Sequence, residues 1–306
     1  MVRAVTSRLG SWLTAPVPLG RLAVFRAIVY VFVAADLVHF TGWVRGHADL
    51  PAELYQPLLI GRILPLPTPG PWLAWGVFWG LIAVSLAAAT GRAPRLLGWT
   101  VFILYAEWMI IAMSYGKVDH DRLGLLVALA ALPVAGRARF GSAELSEPAG
   151  WTLRVTQLAV IATYFLAATA KLRFGGLEWV TGATLTRAVL RRGAFGWLAS
   201  VPGVLVASQF GIMLFELCSP VVFFVRERLR YLMVAGFYVF HLVVFATVTI
   251  TFLPHQVAMS SFLPLERAAA WFRGRVPYRA TKLPGCPTDR SSSSQDQHSG
   301  STAVPG

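Results

Sequence analysis

Apolar residues gather into eight stretches, near 22–40, 72–90, 96–113, 123–136, 153–170, 203–225, 230–250 and 252–265, separated by short polar or proline- and glycine-rich breaks. A helix needs roughly 20 apolar residues to cross the hydrocarbon core of a bilayer. Seven of the stretches read as crossings and the last is weaker. Those at 123–136 and 252–265 are short, so each reads as a thinned crossing, a re-entrant segment or an interfacial helix. Open sheets are excluded, because a sheet edge in lipid leaves backbone groups unpaired. The expected fold is all-α: a polytopic transmembrane helical bundle of about eight spans.

Composition agrees with lipid as the solvent. Charged residues make up 13% of the chain and hydrophobic ones 56%, against roughly 25% charged in soluble domains. Lys and Arg set the orientation. With the N-terminus inside, inner segments hold fifteen of them and outer segments nine, which favours N-in and C-in. Five of the outer nine crowd into 171–202, which suggests a task beyond topology. The net charge of +13 is therefore read as topogenic and lipid-facing. Basic stripes with interleaved aromatic platforms are lacking, so no nucleic-acid partner is expected. The first apolar stretch carries Arg26 and Asp36 and lacks a small-residue exit, so it reads as a retained span and not a cleaved leader.

The chain thus divides into a cytoplasmic segment 1–20, a transmembrane domain 21–266, a basic interfacial segment 267–281 and a disordered tail 282–306, rich in Ser, Gly and Pro. Cys218 and Cys286 offer no disulfide framework and no metal spacing. The composition is rich in Arg, Ala and Gly and poor in Lys, like that of a high-GC bacterium, so a multi-pass protein of the bacterial plasma membrane is expected.

Ionisable side chains at membrane depth cost about 2.5–3.5 kcal/mol each on insertion scales and usually face protein or water. Asp36 and His39 share a face of the first span, and Glu107 lies in the outer half of the third. Read blandly, these lock helices together by hydrogen bonds or ion pairs. His120 stands in the turn YGKVDHDRLGLL, where solvation alone would explain it. Lys171 ends the fifth span, where a snorkelling lysine is the plain alternative. His241, in GFYVFHLVVF, lies past mid-depth toward the outside and is either bonded to a neighbouring backbone group or part of a site. Glu216 and Arg26 both fall toward the inner half and are expected to pair with each other. Asp36, His39, Glu107, His120, Lys171 and His241 come from five spans or their ends, yet the topology places them all on one side. A pocket in the outer half of the bundle is the expectation.

At these residues the chain resembles the membrane domain of vitamin K-dependent γ-carboxylase and its bacterial relatives, the horizontally transferred transmembrane (HTTM) proteins. The stretches that carry the likeness are RLAVFRAIVY, DHDRLGLL, TYFLAATAKL followed by EWVTGATL, FYVFH, and HQVAMSSFLPLE, together spanning roughly residues 20–266. The resemblance implies that Lys171 corresponds to the lysine that deprotonates reduced vitamin K, with His120 and His241 as its partners. It further implies a site for a reduced quinone or another hydrophobic small molecule with Trp179 of the signature beside it, and Asp36, His39 and Glu107, which the topology places at the same depth, are expected to border it. The chain departs from the pattern at Ala170, where the family lysine is commonly doubled, and in the longer RFGGLE segment before Trp179. It also has no counterpart, after Leu265, of the extramembrane domain that engages a protein substrate. Carboxylation of a tethered protein is therefore not expected, unless a separately encoded soluble redox or substrate domain supplies what is missing.

Three functions follow from this reading. One is a quinol- or lipid-dependent membrane enzyme with Lys171 as base. Another is a non-enzymatic accessory or assembly component of a redox or envelope complex. A small-solute transporter ranks last, because interrupted spans at pseudo-symmetric positions are not found.

Overall fold

The computed structural model describes residues 9–64, 66–192 and 195–272. It is an all-α bundle: α1 (Leu19–His39), α2 (Pro71–Ala89), α3 (Pro94–Met113), α4 (Leu123–Ala135), α5 (Glu147–Gly175), α6 (Thr184–Arg192), α7 (Pro202–Leu217), α8 (Glu227–Val248), α9 (Leu253–Met259) and α10 (Leu265–Phe272). A two-residue antiparallel pairing of Val17–Pro18 with Leu145–Ser146 ties the start of α1 to the start of α5.

The helix boundaries follow local chemistry. Pro71 and Pro94 open α2 and α3 at the first turn, where a missing N–H costs nothing. Ser146 caps α5 by accepting from the Ala149 N–H. Gly136 and Gly176 end α4 and α5 with positive φ, a conformation that a side chain would oppose.

Five helices, α1, α2, α3, α5 and α8, are long and apolar enough to cross a membrane. Their outward faces carry large exposed apolar residues such as Val31, Leu86, Ile103, Leu166 and Leu242, a surface suited to acyl chains and not to water. The remaining apolar stretches differ from plain spans. Helix α4 has 13 residues and reaches about 20 Å at 1.5 Å per residue, short of a hydrocarbon core of roughly 30 Å. The stretch 203–225 is broken: α7 ends at Leu217 and a 3-10 turn follows over Ser219–Phe223. The stretch 252–265 forms α9 and a 3-10 turn over Ser260–Phe262, mostly buried in contact with α1, α4 and α5. Such a short, irregular segment is tolerated at depth because protein, and not lipid, surrounds it.

Packing is organised around two main clusters. Trp108, Phe25, Tyr105, Leu37 and Leu81 join α1, α2 and α3 with α4, and Tyr164, Phe237, Met259 and Phe262 join α5, α8 and the closing segment. Close approaches use small residues: a Cβ on Gly150 would lie 2.1 Å from the Ala15 carbonyl oxygen, and one on Gly98 would lie 2.8 Å from both Pro133 and the Tyr30 hydroxyl. At the far end of the chain, α10 returns to the start of α1, where Arg21 donates to both Glu266 carboxylate oxygens at 2.7 and 2.8 Å. The described part of the expected basic interfacial segment, 267–272, is helical and continues from Leu265. The expectations for residues 1–8 and 273–306, including the tail, lie outside the described residues.

Candidate functional site

A cavity of about 430 Å³ opens between α5, α6, α7, α8, α9 and the turn before α4, a size common for small-molecule sites. Helical periodicity explains how its walls arise. Helix α5 presents Thr163, Tyr164, Ala167 and Lys171 along one face, and α7 presents Val204, Leu205, Ser208, Ile212 and Glu216 at near four-residue spacing. Helix α6 turns Leu185, Ala188 and Val189 inward, while Arg187, Arg191 and Arg192 are exposed on its other side. The basic crowding in 171–202 thus divides among one cavity lysine, the exposed Arg173 on the last turn of α5, and the outer face of α6.

The roof is fastened by a residue that the sequence reading passed over. Gln209, 1% exposed, accepts from the Leu185 N–H at 2.6 Å and donates to the carbonyl oxygens of Trp179, Val180 and Gly182 at 3.2, 2.5 and 3.0 Å. A lone amide within an otherwise apolar stretch was the available signal, since a buried amide needs partners.

Two polar centres lie within the apolar walls. In the first, the Lys171 ammonium donates to both Glu216 oxygens at 2.5 Å and sits 4.8 Å from the centre of the Trp179 ring, within cation–π range. In the second, the Tyr164 hydroxyl and His241 Nε2 are 2.6 Å apart, and the His255 ring lies 5.3 Å from the His241 ring. Both ring nitrogens of His255 and Nδ1 of His241 are buried without a hydrogen-bond partner among the described residues. Buried polar atoms of this kind usually have a partner, so these nitrogens are free to bond a guest. His255 was not singled out from the sequence, although a histidine following a short apolar turn in TFLPHQ was there to be read.

His120 lines the same cavity from its edge and is exposed on its other side. It stands close enough to Glu216 and His255 to act on both electrostatically. Its neighbour Asp121 is partly buried, and that burial pushes its carboxyl up from the ordinary value despite the opposing Arg122.

Lys171, His120, His241 and Trp179 therefore meet in one hollow. Asp36, His39 and Glu107 do not line it. Asp36 is fully buried at the junction of α1, α3 and the 120–122 turn, where Arg122 donates to its Oδ2 at 2.6 Å and the Tyr105 hydroxyl donates at 3.1 Å. Arg122 also donates to the Tyr105 oxygen at 2.7 Å, and Trp108 reaches Thr41, whose hydroxyl bonds the Asp36 carbonyl. This network grips Arg122 and so fixes the turn that carries His120. His39, three residues on, is exposed and packs edge-on against Phe40. Glu107 is partly buried on α3, with Oε1 lacking a hydrogen-bond partner among the described residues.

The expected pairing of Arg26 with Glu216 is also corrected. Arg26 donates to the Gly136 carbonyl at the end of α4, and Glu216 pairs with Lys171. The error came from reading 203–225 as one straight span. The first turns of α7 instead build the cavity wall beside α6, which brings Glu216 level with the last turns of α5.

Removing the Tyr164 hydroxyl tests the second centre. Tyr164→Phe should destabilise the protein by about 1–3 kcal/mol, the cost of leaving a buried polar partner unpaired. Thermal unfolding in detergent would measure it, and an unchanged midpoint would remove the Tyr164–His241 bond from the account.

Comparison of the chain with protein-family models, curated proteins and solved structures gives no match.

Proposed function

We propose that the chain is a quinol- or lipid-dependent membrane enzyme of the HTTM kind, akin in chemistry to the membrane part of vitamin K-dependent γ-carboxylase. The observation that carries this reading is the convergence of the Lys171–Glu216 pair, the Tyr164–His241–His255 group and His120 on a single apolar cavity. A hydroxyaromatic head fits such a place. Its ring contacts Trp179 and the aliphatic walls, while one hydroxyl meets the ion pair and the other oxygen meets the unpartnered histidine nitrogens.

The geometry favours a division of labour different from the one the resemblance implies. Lys171 donates to Glu216 and does not present a free base. In the proposed step the substrate O–H proton passes to the Glu216 carboxylate, and the ammonium of Lys171 shifts to the aryl-oxide oxygen thus formed. The charge pair exchanges partners and the total charge of the cavity is conserved. Apolar walls strengthen such interactions by excluding water. His120 and the Tyr164–His241 pair orient the far side of the ring.

Several further features belong to the same proposal. The excess of Lys and Arg on inner segments favours N-in and C-in, about eight passes and a cavity in the outer half of a bacterial plasma membrane. The Arg21–Glu266 link, which holds the start of α1 beside α10, supports placing both on one side. A soluble redox or substrate domain encoded separately is the expected partner.

Binding of a decyl-substituted hydroquinone, followed by quenching of tryptophan fluorescence in detergent, tests the reading. Saturable quenching is expected for the native chain, with affinity weakened by roughly tenfold or more, one decade or about 1.4 kcal/mol, in the charge-free Lys171→Met/Glu216→Gln variant. Equal affinity in both proteins, or no saturable binding, would overturn it.

A further inference from the structure

The opposite end of the bundle holds a second hollow of different character. It has a volume of about 340 Å³ and lies where α1, α5 and α8 begin and α10 returns. Arg154 in its wall and Lys171 in the first cavity are about 25 Å apart along α5, at 1.5 Å per residue. The two cavities therefore lie toward opposite ends of one helix.

Four guanidinium groups line this hollow: Arg21, Arg154, Arg230 and Arg267. Among the described residues only Arg21 has a carboxylate partner, Glu266. Arg154 donates to the Ala15 carbonyl at 2.6 Å, and Arg230 donates to those of Val222 and Val225, each at 3.2 Å. Among the described residues no carboxylate lies within 4.0 Å of Arg154, Arg230 or Arg267. Arg21 and Arg230 stand near enough to Arg154 to act on its charge. The nearest acid in the lining is Glu227, which is exposed. Like charges held together by backbone carbonyls, with N–H donors still unused, are an arrangement that an anion stabilises. Each guanidinium offers five donors, and the carbonyls occupy one on Arg154 and two on Arg230.

The rest of the lining narrows the identity of that anion. Trp12, Leu153, Phe223 and Phe262 form an apolar side to the basic one, with Trp12 and Phe223 edge-to-face at 5.6 Å. An adjoining hollow adds Arg226 and Arg228 to the same basic rim. Guanidinium clusters match phosphate oxygens in geometry and charge. Basic pockets between helix ends at a membrane surface suit lipid head groups, whose carbon chains then lie against apolar walls.

We infer that this hollow binds a phosphate-bearing anion, held by Arg154, Arg230 and Arg267, with an anionic phospholipid head group as the source that its apolar side favours. The full chain, purified in neutral detergent and stripped of lipid, should unfold at a higher temperature when short-chain phosphatidylglycerol is added, and not when phosphatidylcholine is. The apparent affinity should fall by roughly tenfold in Arg267→Gln. Arg267 is exposed, so its loss should leave the fold intact. Arg154→Gln should lose more. Stabilisation by inorganic phosphate equal to that by phosphatidylglycerol would support the site while assigning it to a soluble phosphate. An equal response to both lipids, or phosphatidylglycerol binding unchanged in both variants, would overturn the inference.

Discussion

Replacing Asp36 with alanine should lower the stability of the protein by about 3–5 kcal/mol, the range for removing one partner of a buried ion pair. The reason is the partner left behind. Asp36 is fully buried, and the Arg122 side chain is 9% exposed, so the guanidinium would keep its desolvation cost and lose its counter-charge. Tyr105 would lose its acceptor at the same time. The damage should also reach the cavity, because Arg122 fixes the turn bearing His120. Thermal unfolding of Asp36→Ala and of Asp36→Ala/Arg122→Leu measures the effect. The double variant removes both charges and should recover much of the loss. A small effect in the single variant would mean that the pair does not hold the turn.

A comparable effect is expected at the other pair. Glu216→Gln leaves the Lys171 ammonium against an amide in an apolar cavity, and a loss of about 3 kcal/mol is expected, at the lower end of the same range because the lysine side chain is 24% exposed. Lys171→Met/Glu216→Gln should return to within about 1 kcal/mol of the native stability, as charge-free replacements of buried pairs often do. The contrast separates structure from chemistry. If the double variant folds as the native chain does and no longer binds the hydroquinone, the pair serves the guest; if it also unfolds early, the pair serves the bundle.

Much of the architecture was legible because lipid imposes a simple rule. Long apolar stretches become helices, and those that form α1, α2, α3 and α8 appear within about three residues of the expected bounds, while α5 extends five or six residues further at each end. The three remaining stretches were harder to read, because hydropathy reports burial without saying whether protein or lipid does the burying. The segment at 252–265 is apolar because α1, α4 and α5 enclose it. The stretch at 203–225 combines one face of α7 that lines a cavity with an exposed apolar face that carries Phe210 and Leu214.

The site was legible to a similar degree. Lys171, His120, His241 and Trp179 were found from polarity at depth and from the resemblance, and the structure gathers them. Asp36 reads from the sequence both as a helix-locking acid and as a pocket residue; the structure bonds it to Arg122 and Tyr105, away from the cavity. Glu216 was misplaced because depth was counted along a straight helix. Gln209 and His255 lie in stretches whose role depends on packing between distant segments, which linear spacing does not encode.

The position of His255 on α9 has a consequence for how the protein is made. Chain order puts α1 through α8 before the segment that completes the cavity. Only after roughly residue 266 emerges can Glu266 reach Arg21 and clasp the bundle shut. The wall that carries His255 is thereby the last part of the cavity to be synthesised.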